Sequence, residues 1–279
     1  MLRLMLNSHP ALCVPFESGF IVEFFRRSNH YGDLAQRNNA RRLLSDIGSH
    51  PLARKGNLVG DIDTILDLSL GRYADVVDAI FTVYANARGK KRWGDKTPSY
   101  VTDIDVLRAL FPACKILHLV RDGRDVALSN QNVEWGLRRT PRIAADWRWK
   151  TLLAHKVGAV LGEDYMLIHY ENLVVHTERT LRKIADFLEE PYSDQMLAYH
   201  RTGLAEMPPQ SLAWHRNSIR APDANLVNVW KHAMPVADRI IFEQCAGDAL
   251  ETFGYPLERR HSTLGSRLKN FYFATIARY

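Results

Sequence analysis

The sequence predicts an α/β fold with a mainly parallel sheet flanked by helices, and three observations predict it. Two short apolar runs, Lys115 to Val120 (KILHLV) and Tyr165 to Tyr170 (YMLIHY), have the length and composition of buried strands. Each is followed by a helical pattern, from Asp125 onward in the first case and over Thr177 to Leu188 in the second. A third strand is expected at Arg92 to Asp95, again with a helix after it. Strands that alternate with helices pair in parallel, because the helix carries the chain back across the sheet.

The other elements follow in order. Leu2, Met5 and Leu6 give a short helical stripe that ends near Asn7-Ser8-His9-Pro10. Ser18 to Arg27 and Asp33 to Ile47 read as helices, and Gly48 to Asp63 as loop. Tyr73 to Arg88 is an amphipathic helix with Val76, Val77, Ile80, Val83 and Tyr84 on one side. Ser99 to Leu110 is another, bounded by Pro98 and Pro112.

Composition narrows the class. The 279 residues are 46% hydrophobic and 24% charged, enough for one large core or a core with a small subdomain. A net charge of +6 suits an anionic ligand but does not demand one. The stretch 256–279 holds five basic residues and one acid. It reads as a basic tail, either a solvated helix or an arm for a membrane surface or an acidic partner. A nucleic-acid partner is not expected. Cys13, Cys114 and Cys245 are too widely spaced for a disulfide framework or a zinc pattern, and Cys114 and Cys245 are expected in the core. No apolar run approaches the ~20 residues that span a bilayer. Met1 to Leu6 is too short for a secretory core. A reducing cytoplasm is expected.

In parallel sheets, ligands sit at the carboxyl ends of the strands. After KILHLV comes Arg121-Asp122-Gly123-Arg124-Asp125-Val126-Ala127-Leu128-Ser129. A guanidinium at the strand end and a hydroxyl two helical turns on, facing back toward the strand, suit one phosphate. The competing reading is an exposed turn whose Arg and Asp residues pair. At the end of the earlier strand stands Trp93-Gly94-Asp95-Lys96-Thr97-Pro98, where Lys96 is either a cation for developing negative charge or an ordinary surface lysine. Nearer the start, Ser8-His9-Pro10 leads through an apolar stretch to Glu17. Glu17 is either a partly desolvated base or an acid in a first helical turn, and physical chemistry alone favours the second.

Taken in order, these pieces resemble the sulfotransferase superfamily, especially the broad bacterial group similar to tyrosylprotein and glycan sulfotransferases. The resemblance rests on LRLMLNSHP, Glu17, WGDKTP, VRDGRDVALS and HYENL, and its spacing holds from the first residue to about Tyr255. It implies a P-loop-like three-layer domain over residues 1–255, followed by the basic tail 256–279. It implies 3′-phosphoadenosine 5′-phosphosulfate as the donor, no metal, and a hydroxyl-bearing small molecule, glycan or peptide as the acceptor. Arg121 and Ser129 would hold the donor's 3′-phosphate, and Tyr170 would lie near the adenine. Glu17 would be the base and Lys96 would steady the sulfuryl charge, with His9 or Asp95 as reserve bases. Asn225 to Lys231 (NLVNVWK) is similar to the family's late loop over the nucleotide, which brings in Trp230 and Lys231. The acceptor would be lined by Gly32 to Tyr73 and Thr202 to Asn225.

One family part is not found after Met1: the first strand and the Gly-rich Arg-Ser-Gly-Thr-Thr loop that nests the 5′-phosphosulfate. Two expectations follow. The chain is a fragment of a longer enzyme, or it is a degenerate paralogue that binds nucleotide without transferring sulfate. Either way, residues 1–279 alone are expected to transfer little. A nucleotide kinase would need a Walker loop, for which the sequence has no candidate.

Overall fold

Every strand pair among the described residues is parallel, as the alternation of strands and helices predicts. The computed structural model describes residues 1–131, 136–137, 139–204, 207 and 218–258. The basic stretch 256–279 therefore lies almost wholly outside the described residues, as does much of Thr202 to Asn225. The chain clusters into two units, Met1–Cys114 with Leu181–Ala221, and Lys115–Thr180 with Pro222–Tyr279.

The first unit runs α1 (Leu2–Asn7), β1 (Leu12–Cys13), α2 (Ile21–Phe25), α3 (Arg37–Ser49), α4 (Pro51–Lys55), α5 (Ile62–Leu66), α6 (Tyr73–Asn86), β2 (Arg92–Trp93) and α7 (Ile104–Leu110). β1 pairs with β2, Leu12 opposite Arg92 and Cys13 opposite Trp93. β2 is thus two residues long where four were expected, and its partner was not expected at all. β1 has only two paired residues between Pro10 and Pro15, too few to show a period of two. Lys90 fixes this corner by donating from Nζ to the carbonyls of Asn7, His9 and Leu12.

α6 organises the core. Tyr73, Val76, Val77, Ile80 and Phe81 recur three or four residues apart and are buried. Its start is tied by Asp75, which accepts from the Arg72 N–H at 2.7 Å. Trp93 of β2 stacks on Phe81 with centroids 4.6 Å apart, and Phe81 on Phe20 at 6.1 Å. The span 48–63 is less loop-like than its sequence predicts. Pro51 opens α4, where its fixed φ suits a first helical turn, and the Asp61 carboxylate caps α5 by accepting from the Asp63 N–H. The helix expected over Ser99 to Leu110 breaks at Asp103 into a 3-10 turn and α7.

The second unit runs β3 (Ile116–Val120), α8 (Gly123–Gln131), α9 (Thr140–Leu161), β4 (Tyr165–His169), α10 (Tyr170–Val175), α12 (Trp230–Ala233) and α13 (Val236–Thr252). α11 (Thr177–Leu188) carries the division between the units, after Thr180. β3 and β4 pair in register from Ile116–Tyr165 to Val120–His169. α9 and α13 pack together around Ile143, Trp147, Phe242, Ala246 and Phe253. α9 was not legible because the residues it buries after Trp147 include Thr151, Ala154 and Gly158, which carry little hydrophobic signal. Cys13 is buried, whereas Cys114 and Cys245 are only half-buried, Cys245 packing against the second unit's core.

Among the described residues no helix is long and apolar enough to cross a membrane. Among them, too, no three or more His, Cys, Asp or Glu side chains converge as metal ligands.

Candidate functional site

In the first unit, Glu17 and Lys96 meet. Glu17 lies in the irregular segment before α2, so it is not an acid in a first helical turn. Its Oε1 accepts a hydrogen bond from Lys96 Nζ, with the two side chains 20% and 41% exposed. An ion pair this open to water is worth ~0–1 kcal/mol, so both groups remain available to other partners.

What holds them is a buried network beneath. Extended backbone sends successive side chains to opposite sides, so Lys96 points outward while Asp95 and Thr97 point in. Thr97 Oγ1 accepts from the N–H groups of Ser18 at 3.1 Å and Gly19 at 3.3 Å, and donates to Asp95 Oδ2 at 3.1 Å. Ser18 Oγ donates to the same Asp95 oxygen at 2.8 Å and lies 3.2 Å from the Tyr100 hydroxyl. That hydroxyl accepts from the Ile21 N–H at 2.8 Å. The segment bearing Glu17 is thereby stitched to the segment bearing Lys96. Asp95 Oδ1 is buried without a partner. Burial pushes the Asp95 carboxyl up to about 6, against the pull of Ser18, Thr97 and Lys96.

His9 has both ring nitrogens engaged. Nδ1 accepts from the Ala11 N–H at 3.1 Å, so Nε2 carries the proton and donates to the Pro191 carbonyl at 2.7 Å. The ring is 2% exposed and joins the turn after α1 to the chain beyond α11.

In the second unit, Arg121 leaves the end of β3 and lies over the Tyr170 ring, 4.7 Å from its centroid. Its Nη2 donates to the Leu226 carbonyl at 2.9 Å and sits 3.6 Å from Asp125 Oδ2. Its Nε is buried without a partner. A guanidinium on an aromatic face with an unused donor suits an anionic, planar-ringed ligand. Burial raises the Tyr170 hydroxyl's pKa, and Arg121 opposes it.

In the turn after Arg121 the Arg and Asp residues do pair, as the alternative reading has it, but the turn is buried and not exposed. Arg124 is fully buried, donating to Asp122 Oδ2 at 2.8 Å and Glu243 Oε1 at 2.6 Å. Its guanidinium stacks on Trp230 at 3.4 Å. Asp122 Oδ1 accepts from the Arg124 N–H at 2.9 Å, capping α8. Gly123 is required between them, since a Cβ there would lie 2.5 Å from Phe242 and 2.6 Å from Trp147.

A model described as the Sulfotransferase family matches residues 1–194. This chain belongs to the sulfotransferase family. The match takes in β1, β2, β3 and β4 with the Glu17–Lys96 pair, Arg121, Ser129 and Tyr170. The protein-tyrosine sulfotransferase of Drosophila melanogaster is 33% identical over 108 residues, covering 37% of this chain and 20% of that protein. Protein-tyrosine sulfotransferase A of Caenorhabditis elegans is 28% identical over 115 residues, covering 38% of this chain and 30% of that protein. The matches thus span less than a third of these curated relatives. Among solved structures, the sulfotransferase domain of the Synechococcus PCC 7002 olefin synthase aligns with a TM-score of 0.61 at 24% identity, covering 92% of this chain and 90% of that one. The sulfotransferase domain of the curacin biosynthetic pathway aligns at 0.56 and 19%, covering 92% and 93%. These two likenesses show the sulfotransferase fold.

The remaining sequence-predicted residues fall as follows. Ser129 is exposed on α8, and its hydroxyl makes no hydrogen bond to a described residue. Trp230 is 1% exposed, inside the second unit's core, with its N–H donating to Asp125 Oδ1 at 2.8 Å. Lys231 is exposed beside it. Sequence reasoning missed Ser18, Thr97, Tyr100 and Asp125. The alternation within Asp95-Lys96-Thr97 could have signalled the inward pair, but nothing in the sequence marks Ser18 or Tyr100 as their partners.

Proposed function

We propose that the full natural protein carrying this sequence transfers a sulfuryl group from 3′-phosphoadenosine 5′-phosphosulfate to a hydroxyl acceptor. The observation that carries the reading is the Glu17–Lys96 pair at the strand end, held from beneath by Asp95, Ser18, Thr97 and Tyr100. Sulfuryl transfer is an in-line displacement with charge spread over peripheral oxygens, so the protein's task is to position, deprotonate and offset charge. Glu17 takes the acceptor's proton as the new O–S bond forms. The S–O bond to the donor breaks in the same step, and adenosine 3′,5′-bisphosphate leaves with the charge that Lys96 offsets. Lys96 shields Glu17 in the resting chain and exchanges the carboxylate for the sulfuryl oxygens, which the weak, open pair permits.

Arg121, with its unused Nε, and Tyr170 are assigned to the donor's phosphate and ring, and Ser129 and Lys231 to the same nucleotide. Trp230 acts from inside, as the support under Arg124. The acceptor class is a hydroxyl, and the two protein-tyrosine sulfotransferase relatives make a phenol the first to try. The test is Lys96→Ala. Its kcat should fall about 10²–10³-fold, as for a lost charge-stabilising donor, with affinity for adenosine 3′,5′-bisphosphate retained. An unchanged kcat would remove the pair from the chemistry.

A further inference from the structure

Asp125 is 1% exposed, and both its oxygens are spent on a segment about a hundred residues downstream. Oδ2 accepts from the Asn228 N–H at 2.9 Å and Oδ1 from the Trp230 N–H at 2.8 Å. Arg121 holds the same segment, through Nη2 to the Leu226 carbonyl, and the same nitrogen lies 3.6 Å from Asp125 Oδ2. Positions 226, 228 and 230 are therefore tied by two side chains, one from the end of β3 and one from the first turn of α8. Asn228 sits at φ 58, in the left-handed region, which asparagine reaches more readily than other non-glycine residues and which its surroundings can help to hold. Carboxylate bonds to two backbone N–H groups are the strong, charge-assisted kind that can do so.

We propose that Asp125 is a positioning residue that couples the seating of residues 226–230 to anion binding at Arg121. The proposal rests on the reading of Arg121 and Tyr170 as a nucleotide site. With the segment seated, Nη2 is fixed on the Leu226 carbonyl, and the guanidinium plane is set over Tyr170 with Nε left for the ligand. Without Asp125 the segment loses two of these three hydrogen bonds, and the guanidinium loses a fixed orientation. The sign of the effect separates this from simple electrostatics. Removing a carboxylate beside Arg121 should tighten anion binding if charge alone mattered, whereas loss of positioning weakens it. Because coupling between two events is reciprocal, nucleotide should in turn hold the segment down.

The experiment combines calorimetry with adenosine 3′,5′-bisphosphate and amide hydrogen exchange over 226–231, on the full chain. In the wild type, saturating nucleotide should slow exchange of the Asn228 and Trp230 amides about tenfold. Asp125→Asn should bind about tenfold more weakly and exchange faster over the same amides. Arg148→Ala, which removes an exposed pair with Asp248, should leave both readouts unchanged. Equal or tighter binding by Asp125→Asn, or a wild type that binds without slowing exchange, would overturn the coupling alone. A wild type that does not bind at all would overturn the nucleotide reading and the coupling with it.

Discussion

Replacing Asp95 by Asn should change how stability depends on pH, and the size of the change can be worked out. The Asp95 carboxyl is pushed up from an ordinary 3.8 to about 6, chiefly by burial. Well below pH 3.8 the group is protonated in both the folded and the unfolded chain and contributes no pH dependence. As pH rises toward about 6, the unfolded chain releases this proton first, so the native state binds more protons and loses stability. The gap of about 2 between the two values corresponds to ~3 kcal/mol lost by about pH 7. Asn keeps one oxygen for Ser18 and Thr97, which both donate to Oδ2, and places its amide nitrogen where Oδ1 lies buried without a partner. That unpartnered N–H costs ~1–3 kcal/mol at every pH. Asp95→Asn should therefore be less stable than wild type near pH 4 and about equal to it near pH 7. Urea unfolding of both proteins at the two pH values reads the difference. A wild-type-minus-variant gap that stays constant between them would refute the raised carboxyl and the buried network that explains it.

Two further predictions concern residues whose roles the structure reassigns or explains. Gly123→Ala should lower stability by about 2 kcal/mol through overpacking against Phe242 and Trp147, visible as a lower Tm, and an unchanged Tm would show that the start of α8 can yield. His9→Ala should lower stability by ~2 kcal/mol or more, because the Pro191 carbonyl and the Ala11 N–H lose their partner, while the pH profile of sulfuryl transfer stays the same. A lost pH limb at unchanged stability would instead make His9 an acid–base group.

Much of this was legible from the sequence because strand ends are where parallel sheets place function. β3, β4 and α11 could be read from short apolar runs and the helical patterns after them, whereas Glu17, Lys96, Arg121 and Tyr170 were given their roles by the family resemblance. The structure then divides residues that the sequence treats alike. Arg121 and Arg124 look equivalent in Arg-Asp-Gly-Arg-Asp, yet Arg124 is sealed in by Asp122, by Glu243 and by Trp230. No local pattern could show that, since Glu243 lies far along the chain and a charge reads as exposed until its partner is known. Asp95 and Lys96 divide by the opposite directions of neighbouring side chains, one into the network and one toward Glu17. β1 escaped detection through its length, and α9 through the small residues on its buried side.

The most direct test of the account is transfer of labelled sulfuryl from 3′-phosphoadenosine 5′-phosphosulfate to phenols, sugars and tyrosine peptides. It is run on the full natural protein that carries this sequence, as wild type and as Glu17→Gln. The base is expected to supply ~10²–10⁴ in rate. Glu17→Gln should therefore lose at least about a hundredfold in kcat while binding adenosine 3′,5′-bisphosphate as tightly as wild type, because Glu17 acts on the acceptor. Full turnover by Glu17→Gln, or a wild type that binds the nucleotide and transfers nothing to any acceptor, would contradict the account.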